Sequence, residues 1–393
     1  MIFVDIILGI AIGFIFGLIP NLHVNVLGYV FLLTSFFTVF HDHFVLFLCI
    51  GLSHLITSYI PTALFGIPTE STIMHIFPLL KFFQKGESKT GIFLCLVGSF
   101  FGAIFSVVFL PFLFLLFSFF FQIYWFIALA ILIVLLLFIF QEKTLRSRAI
   151  MFFIICVSGT LGIFTLKYNF FFKDPLIVCV SGLFAFPILI MSLFNKESFV
   201  KQSKSVRSFP KRSLFYSFVG SLSALFIILI PSFSSSQAGT IVNKFLKKLK
   251  NNEYIVLYSS ISISAFIFSI YLAINFFKPR LGYIAILQNS NLLPSAYNFF
   301  YDSLIIVVCV CLVVLLIYLF IDKIIDFVNS SNLFILNIII LIVSLAIVLG
   351  FAGLKSVPLL LLSISIGFLP IVFNKPKVVL MAYIMFPTLL FYI

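Results

Sequence analysis

Apolar residues occupy most of the chain in long runs that are separated by short polar stretches. A membrane-spanning helix needs about 20 consecutive apolar residues, because the hydrocarbon core of a bilayer is about 30 Å thick. Runs of this kind recur along the chain, for example at 90–121, 254–276 and 333–353. The pattern predicts an all-α polytopic membrane protein with about ten transmembrane helices.

Two shorter apolar segments break at a proline that is followed by polar residues. In the first, Gly9, Gly13 and Gly17 lead to Pro20. Lipid offers no hydrogen-bond partners, so a broken helix is tolerated only beside protein or a water-filled cavity. We predict a re-entrant hairpin at 2–40. Two alternatives stay open: the glycines form a packing seam between helices, or the proline only kinks a helix.

The second half of the chain repeats this pattern 211 positions later. Gly220 aligns with Gly9, and Pro231 aligns with Pro20. The polar residues after each proline also coincide, and they are Asn21, His23 and Asn25 in the first half and Ser232, Ser234 and Ser236 in the second. The match predicts two repeats, with a second re-entrant hairpin at 213–242.

The charged residues in the loops predict how the two repeats are oriented in the membrane. A basic linker at 195–212 carries six Lys or Arg residues and one acidic residue, and four further lysines follow the second hairpin. Asp5 and the His41-Asp42-His43 stretch flank the first hairpin instead. Basic residues gather in cytoplasmic loops. We therefore expect inverted repeats in the cell membrane, with a cytoplasmic linker and both termini outside.

The predicted domains follow from this topology. The N-terminal repeat covers 1–194 and includes the hairpin at 2–40 and a broken segment at 61–89. The linker covers 195–212. The C-terminal repeat covers 213–393 and includes the hairpin at 213–242.

Composition removes several other classes of function. The chain is 63% hydrophobic and only 9% charged, with a mean hydropathy of +1.31, far from the usage of a soluble domain. The net charge of +13 is explained by cytoplasmic loops and does not predict a nucleic-acid partner. All six cysteines fall inside apolar runs, so no disulfide or metal site is expected. P-loop and G-x-S-x-G patterns are absent from the sequence, and we expect no enzyme activity.

The polar residues after the prolines predict an anion site. Half-helix N-termini in transporters aim unpaired N–H groups and a positive dipole end at anionic substrates. Two inverted hairpins that meet tip to tip would form one central site for a small organic anion such as a carboxylate. The predicted substrate-binding residues are Asn21, His23, Asn25, Ser232, Ser234, Ser235, Ser236 and Gln237.

A second polar stretch begins at Gly66 and Pro68. It continues with Thr69, Glu70, Ser71 and Thr72, and Glu70 is the carboxylate of an otherwise apolar region. Carboxylate, hydroxyl and backbone oxygens could bind a coupling ion, Na⁺ or H⁺, and we expect no other cofactor. The alternatives are that Glu70 caps a short helix or lies in an interfacial loop.

These patterns resemble the TctA family, the large permease subunit of tripartite tricarboxylate transporters, and most closely its shorter archaeal members. The resemblance rests on Gly9-x3-Gly13-x3-Gly17-x2-Pro20, on Gly66-Ile-Pro68, on Gly98-Ser99-x2-Gly102, and on Gly220 through Pro231 to Gln237. It implies an ion-coupled permease that works by alternating access. It also implies a small membrane subunit or an extracytoplasmic binding protein as partner.

Two departures from the family pattern bear on the substrate. The family has Pro-Gly at both hairpins, whereas this chain has Pro20-Asn21 and Pro231-Ser232. A glycine-rich segment after Gly66-Ile-Pro68 is replaced by Thr69-Glu70-Ser71. These changes argue against simple citrate-like specificity. The alternatives to a transporter are a flippase for a polyprenyl-phosphate-type lipid carrier and a membrane scaffold that transports nothing.

Overall fold

The computed structural model describes most of the 393-residue chain. The described residues are 2–19, 24, 42–65, 76–120, 124–168, 175–194, 200–206, 210–230, 235–246 and 249–392. All regular secondary structure within these ranges is helical.

The α-helices are numbered in chain order. They are α1 Ile2–Gly17, α2 His43–Thr57, α3 Tyr59–Phe65, α4 Ile76–Gln84, α5 Ser88–Phe120, α6 Tyr124–Phe140, α7 Leu145–Gly162, α8 Pro175–Val180, α9 Phe186–Phe194, α10 Ser213–Ile227, α11 Ser235–Phe245, α12 Asn251–Phe276, α13 Gly282–Asn289, α14 Phe299–Ser330, α15 Leu333–Ala352, α16 Val357–Val372 and α17 Ala382–Tyr392.

Eight helical segments in the described ranges are long and apolar enough to cross a membrane. They are His43–Phe65, Ser88–Phe119, Leu145–Lys167, Pro175–Phe194, Asn251–Phe276, Phe299–Ser330, Phe334–Ala352 and Leu354–Val372. Four shorter apolar helices accompany them, and they are Ile2–Gly17, Ala128–Phe140, Ser213–Ile227 and Lys377–Tyr392. The prediction of an all-α polytopic membrane protein is confirmed.

The chain divides into two compact units. Unit 1 comprises Met1–Leu115, Ser198–Ile228 and Ala238–Leu333, and unit 2 comprises Leu116–Glu197, Leu229–Gln237 and Phe334–Ile393. Each unit therefore combines segments from both halves of the sequence. The predicted domain boundaries, at 194 and 213, stay a prediction.

Contacts inside unit 1 give the directions of its long helices. Lys89 near the start of α5 bonds Asp322 near the end of α14 at 2.6 Å, and the rings of Phe93 and Tyr318 follow one turn later, 5.8 Å apart. Helices α5 and α14 are therefore antiparallel.

Helix α5 runs parallel to α12, because Gly98 faces Val256 and Gly102 faces Ser260. Helix α14 runs parallel to α2 for a similar reason. The Asp302 and Asp42 carboxylates interact electrostatically at the start of both helices, and Cys309 Sγ lies 3.9 Å from the carbonyl oxygen of Cys49 further along. Since α5 and α14 are antiparallel, α2 and α12 are also antiparallel.

These directions relate the two halves of unit 1 by an inversion. Helices α1 and α10 begin 211 positions apart, at Ile2 and Ser213, and so do α5 and α14, at Ser88 and Phe299. Helices α1, α2 and α5 run opposite to their counterparts α10, α12 and α14. Helices thus related would cross a membrane in opposite senses, which is the arrangement of inverted repeats.

The linker is held against unit 1 by Gln202, whose side chain is buried. Its Nε2 donates to the carbonyl oxygens of Phe83, at 3.0 Å, and Val200, at 2.6 Å. Its Oε1 accepts from the backbone N–H of Ser88, 3.2 Å away, at the start of α5. Its own backbone N–H donates to Asn329 Oδ1 at 2.8 Å. The side chain and the backbone N–H of this one residue therefore connect the linker to three other segments, at Phe83, Ser88 and Asn329.

Unit 2 contains two π-helical segments. Ile163–Lys167 continues α7, and Ser181–Ala185 joins α8 to α9. The hydroxyl oxygens of Thr165 and Tyr383 lie 3.0 Å apart beside the first of them. A π segment leaves backbone hydrogen bonds out of the regular α pattern, and here a buried pair of hydroxyls accompanies it.

Candidate functional site

The described part of the first hairpin is α1, which packs against α2 through its three glycines. A methyl group added at Gly9 would lie 2.6 Å from the carbonyl oxygen of Leu46, and one at Gly17 would lie 3.0 Å from that of His54. Successive glycines meet successive turns of α2, so the two helices are parallel. The glycines allow this close approach, as the packing-seam alternative requires.

The second hairpin has the same contact 211 positions later. A methyl group at Gly220 of α10 would lie 2.5 Å from the carbonyl oxygen of Leu257 and 2.8 Å from Cβ of Ser260. The corresponding neighbours of Gly9 are Leu46 and Cys49. The helix pairs α1–α2 and α10–α12 are therefore packed in the same register.

In each half, the start of the helix that enters the hairpin lies beside the start of the long helix that follows it. Asp42, at the start of α2, donates its backbone N–H to Asp5 Oδ2 at 3.2 Å. In the second half the side chain of Tyr216 interacts with the carboxylate of Glu253 near the start of α12, and this pair is again 211 positions on. Because α2 and α12 are antiparallel, the two hairpins have their bases at opposite ends of unit 1.

Both entering helices are short. Helix α1 has 16 residues and α10 has 15, which gives lengths of about 24 and 22 Å at the usual rise per residue. These lengths fall below the roughly 30 Å of a hydrocarbon core. A re-entrant path stays a prediction for both hairpins.

The returning helix of the second hairpin, α11, begins at Ser235 and carries Ser236 and Gln237 in its first turn. Gln237 is buried, and its Nε2 lies 2.9 Å from Sδ of Met385 within unit 2. The first N–H groups of a helix have no intrahelical acceptors, and they carry the positive end of its dipole. Ser235 and Gln237 therefore lie where an anion is favoured.

Most of the predicted site lies outside the described residues. This applies to the substrate-binding residues Asn21, His23, Asn25, Ser232 and Ser234, to the ion-coupling residues Thr69, Glu70, Ser71 and Thr72, and to Pro20, Gly66, Pro68 and Pro231. Of the predicted substrate-binding residues, Ser235, Ser236 and Gln237 are described as part of α11, and the side chain of Ser236 is not described. The assignment of all these residues stays a prediction.

A buried hydroxyl cluster lies where α5, α10 and α12 meet, and the sequence interpretation did not identify it. We call it the serine junction, and it consists of Ser217, Ser221, Ser260, Ser264 and the carbonyl oxygen of Gly102. Ser221 Oγ lies 3.0 Å from Ser260 Oγ, 2.9 Å from Ser264 Oγ and 3.2 Å from Gly102 O. The four-residue spacing of each serine pair was a readable signal, because it places both hydroxyls on one helix face.

A charged pair lies outside the membrane-spanning helices of unit 2. Lys375 Nζ bonds Glu142 Oε2 at 2.8 Å, and Ser147 donates a hydrogen bond to the same oxygen. Partial burial acts to raise the pKa of Glu142, but the hydrogen bonds from Lys375 and Ser147 and the charge of Lys375 outweigh it and lower the pKa below its usual range. This pair ties the α6–α7 turn to the segment after α16.

Within the described residues, no group of three or more His, Cys, Asp or Glu side chains could hold a metal ion. The polar chemistry described above is instead that of neutral hydroxyls, amides and helix termini.

Comparison with known proteins gives two matches. A family model described as "Tripartite tricarboxylate transporter TctA family" matches residues 3–382. The uncharacterized protein MJ1079 of Methanocaldococcus jannaschii is 28% identical over 399 residues, and the match covers 99% of this chain and 98% of that protein. No solved structure matches.

Proposed function

The chain belongs to the tripartite tricarboxylate transporter TctA family, and we propose that it is a secondary active transporter of an organic anion, with a carboxylate as the substrate class. It is a transport protein of the membrane and not an enzyme. The proposed mechanism is ion-coupled alternating access, with the substrate held at the opposed hairpin tips.

The observation that carries the proposal is the pair of matched hairpins. Their bases, at Asp5–Asp42 and Tyr216–Glu253, lie at opposite ends of unit 1. Each hairpin contains a proline followed by polar residues, and intramembrane polar groups are costly and tend to mark function. Two such hairpins that enter from opposite sides support a single central site reachable from either side in turn.

The start of α11 supports an anion as the ligand. Its N-terminal N–H groups follow directly on residues 231–234, and Ser235 and Gln237 add side-chain donors. A carboxylate is attracted to such a helix end by the dipole and by the unpaired N–H groups. Asn21, His23 and Asn25 would supply the matching donors from the first hairpin.

Uptake by purified protein in proteoliposomes tests the proposal. A set of mono-, di- and tricarboxylates is supplied outside, with an inward gradient of protons or of Na⁺. We expect uptake of at least one carboxylate, and we expect Asn21→Ala and Ser234→Ala each to reduce it by about tenfold, the effect of roughly 1.4 kcal/mol. Ser223→Ala is the matched control, because the hydrogen bond that the Ser223 hydroxyl makes within the described residues is to Val219 O of its own helix.

The assignment of the site residues and the assignment of the substrate class are tested separately. Unchanged uptake in both hairpin variants would remove the site assignment and leave the transport function. No uptake of any carboxylate under either gradient would remove the substrate class.

We also propose the orientation and the partners. Lys89, Lys204 and Lys250 lie at one end of unit 1, and Asp5, Asp42 and Asp302 lie at the other, so the basic end is the cytoplasmic one. Cysteines placed at Lys204 and Lys278 should be labelled from the cytoplasm and from outside, respectively. Labelling of both from one side would contradict the orientation. The tripartite family makes a small membrane subunit or an extracytoplasmic binding protein the expected partner.

One observation favours the flippase alternative. A groove of about 330 Å³ lies between α5 and α14, and its lining includes Phe93, Phe100, Phe101 and Tyr318. An aromatic groove of this kind suits a lipid chain. Thermal stabilisation by a polyprenyl phosphate, with none by any carboxylate, would favour this second function, since a ligand stabilises the fold it binds.

A further inference from the structure

We propose that the serine junction binds a sodium ion. This sodium site would be the coupling-ion site of the proposed transporter, so its role in transport rests on the proposed function. The binding of Na⁺ itself can be measured without any substrate. It starts from the concentration of oxygen atoms where three helices meet inside the apolar part of unit 1.

Four of the five oxygen atoms of the serine junction lie within 3.4 Å of a neighbour in the cluster and could face one cation. Ser221 Oγ has three neighbours at 2.9 to 3.2 Å, namely Ser260 Oγ, Ser264 Oγ and Gly102 O, and Ser264 Oγ lies 3.4 Å from Gly102 O. A hard cation with metal–oxygen distances of about 2.4 Å holds neighbouring ligand oxygens about 3.4 Å apart in an octahedron. The observed separations therefore need to widen only slightly.

The fifth oxygen of the junction, Ser217 Oγ, gives a second and independent reason to propose a bound cation. The hydroxyl of Ser217 is fully buried and has no hydrogen-bond partner among the described residues. Ser217 lies one turn before Ser221 on the face of α10 that packs against α12, and its carbonyl oxygen accepts a 2.6 Å hydrogen bond from Ser260. A buried hydroxyl without a partner is costly, and a cation ligated by its oxygen would remove that cost.

The related junction in the other half shows that packing alone does not require these hydroxyls. The positions 211 residues before Ser217, Ser221 and Ser260 are Ile6, Ile10 and Cys49. That junction has the same helix register and its residues are also buried. Only Ser53, the counterpart of Ser264, keeps a hydroxyl, and it donates to Ile10 O at 2.9 Å.

The chemistry selects the ion. Serine hydroxyls and carbonyl oxygens do not bind a proton at ordinary pH, so the junction cannot couple H⁺. Within the described residues, no cluster of His, Cys, Asp or Glu side chains could hold a transition metal. Divalent cations favour carboxylates, and the serine junction has none. Neutral oxygens that replace a hydration shell suit a monovalent cation.

Ser264→Ala and Ser53→Ala are the matched pair of variants for the test. Each removes one buried hydroxyl from an equivalent position, but only Ser264 belongs to the serine junction. The unfolding temperature of the purified full-length protein is measured while Na⁺ replaces choline at constant ionic strength. We expect Na⁺ to stabilise the wild type and Ser53→Ala, and we expect Ser264→Ala to require at least about tenfold more Na⁺ for the same stabilisation.

Equal Na⁺ dependence in Ser264→Ala and the wild type would overturn the proposal. If Ser264→Ala does not fold, saturable binding of ²²Na⁺ to the wild type decides, and its absence would overturn the proposal too, because the hydroxyls would then only join the helices. Carboxylate uptake driven by protons alone, with no Na⁺ binding, would leave the transport function in place and remove only the sodium site.

Discussion

Substituting alanine for Gly9 or Gly220 tests the matched packing of the two hairpins. The added methyl group would lie 2.6 Å from Leu46 O at Gly9 and 2.5 Å from Leu257 O at Gly220. Ordinary contact begins at 3.4 Å, so each helix pair must separate by a little under about 1 Å. Overpacking of this size costs about 1–3 kcal/mol. Alanine is favoured over glycine by about 1 kcal/mol through its helix propensity, which leaves an expected net loss of up to about 2 kcal/mol.

Gly350→Ala is the control for this pair. Gly350 is inside α15, and nothing lies within 4 Å of the added methyl group, so only the propensity gain of about 1 kcal/mol applies. The assay is the half-life of the folded protein in detergent at one elevated temperature, because membrane proteins of this size often unfold irreversibly. We expect both Gly9→Ala and Gly220→Ala to shorten the half-life by a similar factor and Gly350→Ala to lengthen it. Opposite signs at Gly9 and Gly220 would refute the matched register.

Two further predictions concern the polar contacts outside the spans. Gln202→Ala should destabilise unit 1 by about 3 kcal/mol, since three hydrogen bonds of its buried side chain are lost at about 1 kcal/mol each. Lys204→Ala should change stability by under about 1 kcal/mol, because its ion pair with Asp326 is exposed. Equal effects of the two substitutions on the half-life would contradict the role of Gln202 in holding the linker. The pKa of Glu142 is lowered in the folded protein, so its pairing with Lys375 stabilises the fold above the unfolded pKa and this contribution is lost as the pH falls through the folded value. Glu142→Gln should remove this loss of stability at low pH. If the stability of the wild type and of the variant changed in the same way below about pH 5, the prediction would be contradicted.

The membrane class and the repeat were readable from the sequence because they depend on local pattern. Apolar runs long enough to cross a bilayer gave the spans, and the glycine and proline spacing around Gly9 and Gly220 gave the shift of 211 positions. The same shift relates Leu46 to Leu257 in the packing.

The helix neighbours of the serine junction and of Gln202 could not be predicted from the sequence, for a physical reason. In lipid the outward face of a helix is as apolar as its packed face, so periodicity does not show which residues meet another helix. Gly102 and Ser264 are 162 positions apart, and Gln202 and Asn329 are 127 apart. Such contacts depend on which helices are neighbours, which is a property of the whole fold.

The comparison of the two halves separates packing from chemistry. Features that both halves share, such as Gly9 and Gly220 or the two hairpin bases, are what the fold needs to hold two parallel helices together. Features present in one half only have no such explanation. Hydroxyls replace Ile6 and Ile10 at Ser217 and Ser221 although the apolar side chains fill the equivalent site. Burying a hydroxyl in an apolar setting is unfavourable unless it gains a partner. The asymmetry therefore directs the search for bound ions to the α5–α10–α12 junction rather than to its counterpart.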